Sequence, residues 1–330
     1  MTLIDLFSFG FMQRALIAAL VSGLLAPAVG TYLVQRRLSL LGDGLGHVAT
    51  AGVGLAILMG TAPLPVAIVV CLVGAVGIEW LRQSGRASAD VGLAILFYGG
   101  LSLGLLLASL AGQGTGTLSQ YLFGSLITVT SGDVWLIGGL AVVVLIVSLG
   151  LAPQLFSVCV DEDYARTKGL RTSLLNIVIV AMAALTVTLS MRTVGLLLVS
   201  ALMVVPVAAA HNLATSFKTA LAIAMGIGVV VSGGGVVISA AADTASGPTI
   251  VVAAIVVFGL SAALAAWRGH LGHRRGLADA GLVGVGRHVL AEESHHDEAA
   301  HRVAVLHDDH VDYLHDGHRH APHGDHYDEH

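Results

Sequence analysis

Residues 91–110 read VGLAILFYGGLSLGLLLASL and contain no charged side chain. The next charged residue is Asp133, so the uncharged run continues as far as Gly132. A helix needs about 20 apolar residues to cross the roughly 30 Å of hydrocarbon in a bilayer. The stretch therefore predicts a transmembrane helix, and it indicates that the chain is a membrane protein.

The composition of the whole chain agrees with this interpretation. Of the 330 residues, 55% are hydrophobic and only 11% are charged, whereas soluble domains carry about 25% charged residues. The 41 glycines fit the same class, because small residues let membrane helices approach one another closely. These fractions exclude an ordinary soluble domain.

The charges divide the chain into two parts. Residues 1–269 hold 11 Lys or Arg and 9 Asp or Glu, whereas residues 270–330 hold 5 and 12. The two parts therefore carry +2 and −7, which gives the −5 of the whole chain, and 14 of the 16 histidines lie in the second part. We predict a transmembrane domain over residues 1–269 and a separate His-rich tail over residues 270–330.

Apolar runs in the first part are long enough to cross a membrane several times. They predict an all-α polytopic membrane protein with about 8–9 transmembrane helices, of which the second and third are short and separated only by residues 60–65. The nine candidate spans lie at residues 15–34, 43–60, 64–81, 91–110, 133–151, 173–190, 194–210, 219–241 and 249–267.

The loops that carry basic residues predict the orientation, because Lys and Arg are enriched on the cytoplasmic side. These basic loops follow the first, third and ninth spans, connect the fifth span to the sixth, and precede the eighth span. All of these loops face one side if every span crosses, and Arg192 is the exception. The N-terminus is then outside the cell and the tail is in the cytoplasm.

One of these cytoplasmic loops, residues 152–172, contains the sequence DEDYARTKGL at residues 161–170. Acidic residues at its start, basic residues near its end and Gly169 after them are typical of a short helix with a stabilised dipole. In a chain with so few charges, we favour a docking element over an ordinary solvated loop.

The segment RRLSLLGDGLGH, residues 36–47, places a carboxylate and an imidazole together. Asp43 and His47 are four residues apart and so share one face of a helix, and such a pair is a partial ligand set for zinc or manganese. Ionisable residues at membrane depth usually line a pathway. The alternative is that Asp43 caps a helix and His47 reaches the interface. The glycines between them permit close helix packing or a local kink.

This segment resembles the permease subunits of zinc and manganese ABC importers. Three further stretches are similar to the same family: Tyr121–Leu126 in a mid-chain loop, Gly195–Leu198 through Val205, Pro206 and Ala208 in the seventh span, and Asp243–Thr249 in the last external turn. The resemblance covers nearly all of residues 10–267, and the four motifs occur in the family's order.

The resemblance implies a type II ABC importer permease in the inner or plasma membrane of a bacterium. It implies a homodimer, with a cytosolic ATPase subunit and an extracellular metal-binding lipoprotein as partners. It also implies that Asp43 and His47 belong to the translocation path. The coupling element would hold Asp161, Glu162, Asp163, Ala165 and Gly169. The chain has no Walker motif, so we expect the partner to hydrolyse ATP.

The tail carries the second chemical signal, a mixture of histidines and acids without cysteine. Its low apolar content predicts disorder in the absence of metal, and its imidazoles and carboxylates favour zinc. We expect no prosthetic group, with Zn²⁺ as the transported substrate and as a tail ligand. The predicted tail ligands are His307, His310, His315, His318, His320, His323, His326 and His330.

Zinc is therefore the substrate that we favour, and three alternatives are weighed against it. A manganese or iron(II) permease of the same family fits the tail less well, since manganese prefers oxygen ligands. A proton-driven secondary transporter would need more ionisable residues within its spans. An intramembrane enzyme is not indicated, because neither HExxH nor GxSxG is present. Of the remaining charges, we expect Glu79 to reach the interface and Asp133 to cap a helix.

Overall fold

The computed structural model describes residues 9–86, 88–112, 122, 124, 130–191 and 195–279, together with five strands in the tail. Its contacts divide the chain into one unit over Met1–Ala265 and a second over Ala266–His330.

The first unit is helical throughout the part that the structure describes. Its helices are α1 (Gly10–Gln35), α2 (Leu41–Met59), α3 (Pro63–Gln83), α4 (Ala89–Ala94), α5 (Gly100–Leu110), α6 (Ser131–Gly150), α7 (Ala152–Val160), α8 (Glu162–Thr167), α9 (Thr172–Ser190), α10 (Leu196–His211), α11 (Phe217–Ala242) and α12 (Ser246–Asp279, which continues into the second unit). A single π-helical turn, Ile95–Gly99, joins α4 to α5.

Among the described residues, eight helical segments are long and apolar enough to cross a membrane. They match eight of the nine predicted spans, including the short second and third. The seventh span corresponds to α10, a shorter apolar helix of 16 residues that contains Pro206. The all-α polytopic fold is thus confirmed, and the side of the membrane that each loop faces stays a prediction.

The middle of the bundle is formed by α1, α2 and α9, which carry most of the fully buried side chains. Helix α1 crosses α11 at a glycine on each side. A Cβ on Gly23 would lie 2.5 Å from the carbonyl oxygen of Gly228, and a Cβ on Gly228 would overlap the Gly23 carbonyl oxygen. The crossing therefore requires glycine at both positions, as expected where membrane helices pack backbone against backbone.

The outer helices α3, α6 and α12 present large apolar side chains on their surface. Val73 is 68% exposed, Trp135 82% and Leu260 66%. A soluble protein rarely exposes so large an apolar area, whereas hydrocarbon solvates it without cost. The distribution of exposed side chains therefore agrees with a bundle that lies in lipid.

In the second unit, the tail contains a five-stranded antiparallel sheet with the order β1-β5-β4-β3-β2. The strands are β1 (Val289–Leu290), β2 (Val303–His307), β3 (His310–His315), β4 (His318–His323) and β5 (His326–Glu329). Disorder of the tail in the absence of metal stays a prediction. The three connections that join β2, β3, β4 and β5 are two residues long, and two of them contain Asp and Gly, a composition typical of tight hairpins.

Candidate metal path

Asp43 and His47 lie one turn apart near the start of α2. Asp43 is in the first turn, where the positive end of the helix dipole stabilises a carboxylate. Its side chain is partly exposed, and its Oδ1 accepts a hydrogen bond from Ser200 Oγ of α10 at 3.4 Å. His47 is only 5% exposed. Helix α2 therefore gives this pair one partly open carboxylate and one enclosed imidazole.

The imidazole of His47 packs against the ring of Phe97. The two ring centroids are 4.0 Å apart and the planes are inclined by 63°. His47 Nδ1 is buried and has no hydrogen-bond partner. A buried polar nitrogen without a partner costs about 1–3 kcal/mol and calls for an explanation. A nitrogen that is free to bind a passing cation is one such explanation.

Phe97 belongs to the π-helical turn between α4 and α5. Short π-helical turns of this kind are frequent at functional sites because they shift side chains out of the α-helical register. Here the turn lines an open cleft beside Asp43. The residues around the cleft are Leu40, Asp43, Gly44, Leu93, Ala94, Phe97 and Tyr98.

Glycine lets α5 pass close to α2 at His47. A Cβ on Gly100 would lie 2.6 Å from the carbonyl carbon of His47 and 2.6 Å from the amide nitrogen of Val48. On α2 itself, Gly42 faces Met203 and Gly46 faces Leu196, both on α10. Helix α2 is continuous through these glycines, so they serve close packing and not a kink.

Among the side chains that the structure describes, no third His, Cys, Asp or Glu lies beside Asp43 and His47 to hold a metal with them. Zinc in a protein site usually has four ligands. One copy of the chain therefore offers a partial, open site, which suits a path better than a storage site.

The predicted short helix is present as α8. Asp161 caps its start by accepting a hydrogen bond from the amide of Tyr164 at 2.8 Å. Gly169 follows its end with φ +79°, a conformation that strongly favours glycine. Ala165 is fully buried and anchors the helix, while Asp161, Asp163 and Tyr164 are exposed. The helix is confirmed, and its coupling role stays a prediction.

Helix α8 is tied to the segment that leads into α2. Glu162 Oε2 lies 3.7 Å from Arg36 Nη2. Arg36 is the C-cap of α1, five residues before α2 begins at Leu41. Arg37, which follows it, has φ +59°, a conformation uncommon for a residue other than glycine. The turn between α1 and α2 is therefore fixed both by backbone geometry and by an ion pair to α8.

Glu79 does not reach the interface as the sequence suggests. It is 2% exposed and forms an ion pair with Arg82, at 2.6 Å from Oε1 to Nη2 and 2.8 Å from Oε2 to Nε. Gln83 donates to the same carboxylate at 2.9 Å. Glu79 can stay buried because Arg82, three residues later, donates hydrogen bonds to both oxygens of its carboxylate and balances its charge. Asp133 takes part in capping α6, but Thr130 is the N-cap. Asp133 is the third residue of the helix and accepts a hydrogen bond from the Thr130 amide at 2.9 Å in a capping box.

The remaining predicted residues fall in the tail or in the mid-chain loop. His307 lies on β2, His310 and His315 on β3, His318, His320 and His323 on β4, and His326 on β5. His330 is outside the described residues, as are all residues of Tyr121–Leu126 except Leu122 and Gly124.

Three residues beside Asp43 and His47 were not predicted from the sequence as part of this site: Ser200, Phe97 and Tyr98. Ser200 lies between the quoted parts of a family motif, whereas no sequence signal marks the π-helical turn.

The sequence matches a known family and several characterised relatives. Residues 8–265 match the family described as the ABC 3 transport family. The manganese import system permease protein ScaB of Streptococcus gordonii is 30% identical over 253 residues, which is 77% of this chain and 91% of that protein. The high-affinity zinc uptake system membrane protein ZnuB of Haemophilus influenzae is 30% identical over 255 residues, 77% of this chain and 97% of that one.

Solved structures show the same fold. The structure of PsaBC from Streptococcus pneumoniae in complex with Fab has a chain that superposes with a TM-score of 0.69 at 30% identity, covering 78% of this chain and 94% of that one. An inward-facing metal-chelate type ABC transporter superposes with a TM-score of 0.56 at 17% identity, over 75% and 84%, and supports the fold alone. This chain therefore belongs to the ABC 3 transport family, as a multi-pass permease of metal ABC transporters.

Proposed function

We propose that this protein is the permease subunit of an ATP-driven zinc importer in a bacterial cell membrane. Asp43 and His47 supply the metal ligands of the path. Two copies of the chain face each other, because one Asp–His pair cannot complete a four-ligand site and a twofold pair of chains supplies two such pairs.

The observation that carries this proposal is the state of His47. A buried imidazole with an unpartnered Nδ1 follows Asp43 by one helical turn, and Asp43 borders an open cleft. A cation that enters the cleft meets the carboxylate first and then the imidazole. Phe97 and Gly100 hold the His47 ring and backbone in place.

The choice of zinc rests on ligand chemistry. Imidazole suits zinc, whereas manganese prefers oxygen ligands, and the tail adds many more imidazoles. Manganese is the second candidate, because ScaB and ZnuB are equally similar to this chain at 30% identity. The His-rich tail favours zinc over manganese and iron(II), and we propose that it binds zinc in the cytoplasm after passage.

The partners follow from the same proposal. The exposed face of α8, with Asp161 and Asp163 at its start, docks on a cytosolic ATPase subunit. Glu162 and Arg36 connect this helix to the start of α2, so that a movement of α8 reaches Asp43. Ala165 and Gly169 fix where α8 packs and where it ends. An extracellular metal-binding lipoprotein delivers the ion from the other side.

Metal accumulation in cells tests the proposed substrate. The whole operon is expressed in cells that lack their own zinc and manganese importers, and cell zinc, manganese and iron are measured by mass spectrometry. We expect zinc alone to rise, and tenfold excess manganese should not compete with radioactive zinc. Accumulation of manganese without zinc would establish the second candidate instead.

A substitution at His47 sharpens this test. His47→Asp exchanges the imidazole for an oxygen ligand and should raise manganese uptake relative to zinc. His211→Asp makes the same change at the only other histidine of residues 1–269 and serves as the control. Unchanged metal preference in His47→Asp would mean that His47 does not select the ion.

A further inference from the structure

The hydroxyl of Ser200 forms its hydrogen bond across two helices. Its Oγ, on α10, donates to Asp43 Oδ1 of α2 at 3.4 Å. Hydroxyls elsewhere in the bundle, such as those of Thr31 and Thr186, donate to the backbone carbonyl four residues earlier at 2.8 Å, which is the usual behaviour inside a helix. Ser200 differs from them because its bond ends on a side chain of the metal path.

Close packing of α10 brings this short side chain within reach of Asp43. A Cβ on Gly42 would lie 3.5 Å from Ser200 Cβ and 3.3 Å from Met203 Sδ, so the glycine beside Asp43 leaves the space that α10 occupies. Helix α10 also lies against α1, because a Cβ on Gly30 would overlap the carbonyl oxygen of Met203. Contacts with two helices therefore fix the position of α10 next to Ser200.

A hydroxyl restrains a carboxylate without cancelling its charge. The contrast within this protein is Glu79, whose two oxygens accept hydrogen bonds from Arg82 at 2.6 and 2.8 Å, so that its charge is balanced. Ser200 is a neutral donor and leaves the charge of Asp43 available to a cation. Its bond is longer than the usual 2.7–2.8 Å of a hydroxyl donor, so the restraint is weak, which suits an ion that must be released again.

We propose that Ser200 is a positioning residue of the metal path and that it orients the Asp43 carboxylate toward the ion. This inference rests on the proposed function, in which Asp43 binds the transported metal. Asp43 borders the open cleft, so a bond that restrains one of its oxygens limits the directions in which the other can point. Hydrogen-bond partners of metal-binding side chains orient those ligands in the same way.

Zinc transport by Ser200→Ala tests the role of the hydroxyl. Full-length variants are assembled with the ATPase subunit in proteoliposomes and receive radioactive zinc from saturating amounts of the binding lipoprotein, while zinc uptake and ATP hydrolysis are measured together. We expect zinc transported per ATP to fall about tenfold, the lower end of the usual effect of losing such a partner. ATP hydrolysis should continue, because the ATPase subunit docks elsewhere.

Two further variants separate the hydroxyl from packing. Thr186→Val removes a buried hydroxyl that bonds only within α9, and it should keep the wild-type ratio of zinc to ATP. Ser200→Thr retains the donor, and because Ser200 is only partly buried the added methyl group can be accommodated. It should restore most of the zinc uptake that Ser200→Ala loses.

Three results would overturn the positioning role. They are a wild-type ratio in Ser200→Ala, a loss in Ser200→Thr as large as that in Ser200→Ala, and an equal fall of zinc uptake and ATP hydrolysis, which would indicate general damage to the fold. These failures are distinct from failure of the proposed function. If Asp43→Ala abolishes uptake and Ser200→Ala does not change it, only this inference fails, whereas normal uptake by Asp43→Ala removes the metal path itself.

Discussion

Arg36 and Glu162 form an ion pair across 3.7 Å between the end of α1 and the exposed helix α8. The Arg36 side chain is 7% exposed and the Glu162 side chain 33%. Glu162 also forms an ion pair with Arg166 at 3.3 Å. It therefore pairs with one residue of its own helix and with Arg36, which precedes α2. Under the proposed function this is a direct link between the ATPase side and the helix that carries Asp43 and His47.

Glu162→Gln should therefore uncouple the transporter. The substitution removes the charge that faces Arg36 and should reduce zinc uptake severalfold while ATP hydrolysis by the assembled complex continues. Asp163→Asn is the comparison, since that side chain is 93% exposed and pairs with Arg166 at 3.6 Å instead of Arg36. As part of the docking face it should weaken binding of the ATPase subunit, but in assembled complexes it should leave the ratio of zinc transported to ATP hydrolysed unchanged. The measurement is zinc transported per ATP hydrolysed in proteoliposomes. An unchanged ratio in Glu162→Gln would remove this ion pair from the coupling route.

Gly100→Ala should disturb the surroundings of His47. The added Cβ would lie 2.6 Å from the His47 carbonyl carbon, so α5 and α2 must separate, and overpacking of this kind costs about 1–3 kcal/mol. Gly99→Ala adds the same atom one residue earlier, where nothing lies within 4 Å. Thermal unfolding in detergent and zinc uptake should both fall for Gly100→Ala only. Equal behaviour of the two variants would count against close packing at His47.

Cys159 is predicted to be unreactive in the folded protein. Burial raises the pKa of its thiol to about 12, although Arg36 nearby lowers it in part. The thiolate is the reactive form, so a raised pKa means that little thiolate forms until the pH approaches 12. At pH 8, alkylation by N-ethylmaleimide should be at least about a hundredfold slower than for an ordinary cysteine of pKa about 8.5.

Peptide mass spectrometry measures the labelling of Cys159 and Cys71 separately. The control is the same chain unfolded in denaturant, in which the Cys159 thiol has an ordinary pKa. Rapid labelling of Cys159 in the native complex would contradict the protection of this thiol by burial.

Cutting the chain after Arg268 should leave zinc uptake intact when zinc is scarce. The tail is outside the segment that matches the transport family, which ends at residue 265. Under the proposed function the tail binds zinc in the cytoplasm, so its effect should appear when zinc is abundant and the tail can buffer the ion or slow the permease. Uptake of zinc over a range of supplied concentrations is the measurement. Loss of all transport at limiting zinc would make the tail a required part of the path.

Long apolar periodic segments were predictable, and long-range contacts were not. The nine spans and α8 are set by local composition, so the sequence is enough to locate them. The contact of Asp43 with Ser200 joins residues 157 positions apart, and it depends on how α2 and α10 cross. The π-helical turn that brings Phe97 to His47 is likewise a product of packing.

One local signal in the sequence was available but weighed incorrectly. Arg82, three residues after Glu79, can pair with that carboxylate inside the protein, whereas the position of Glu79 near the end of a span suggested that it reaches the interface.

Zinc uptake by Asp43→Ala and His47→Ala tests the central claim most directly. Each variant is assembled with its ATPase subunit, and accumulation of radioactive zinc is compared with that of His211→Ala, which lacks a histidine at the exposed end of α10. We predict that both path variants assemble and hydrolyse ATP but accumulate no zinc above background, while His211→Ala transports at the wild-type rate. Normal zinc accumulation by either Asp43→Ala or His47→Ala would contradict the account.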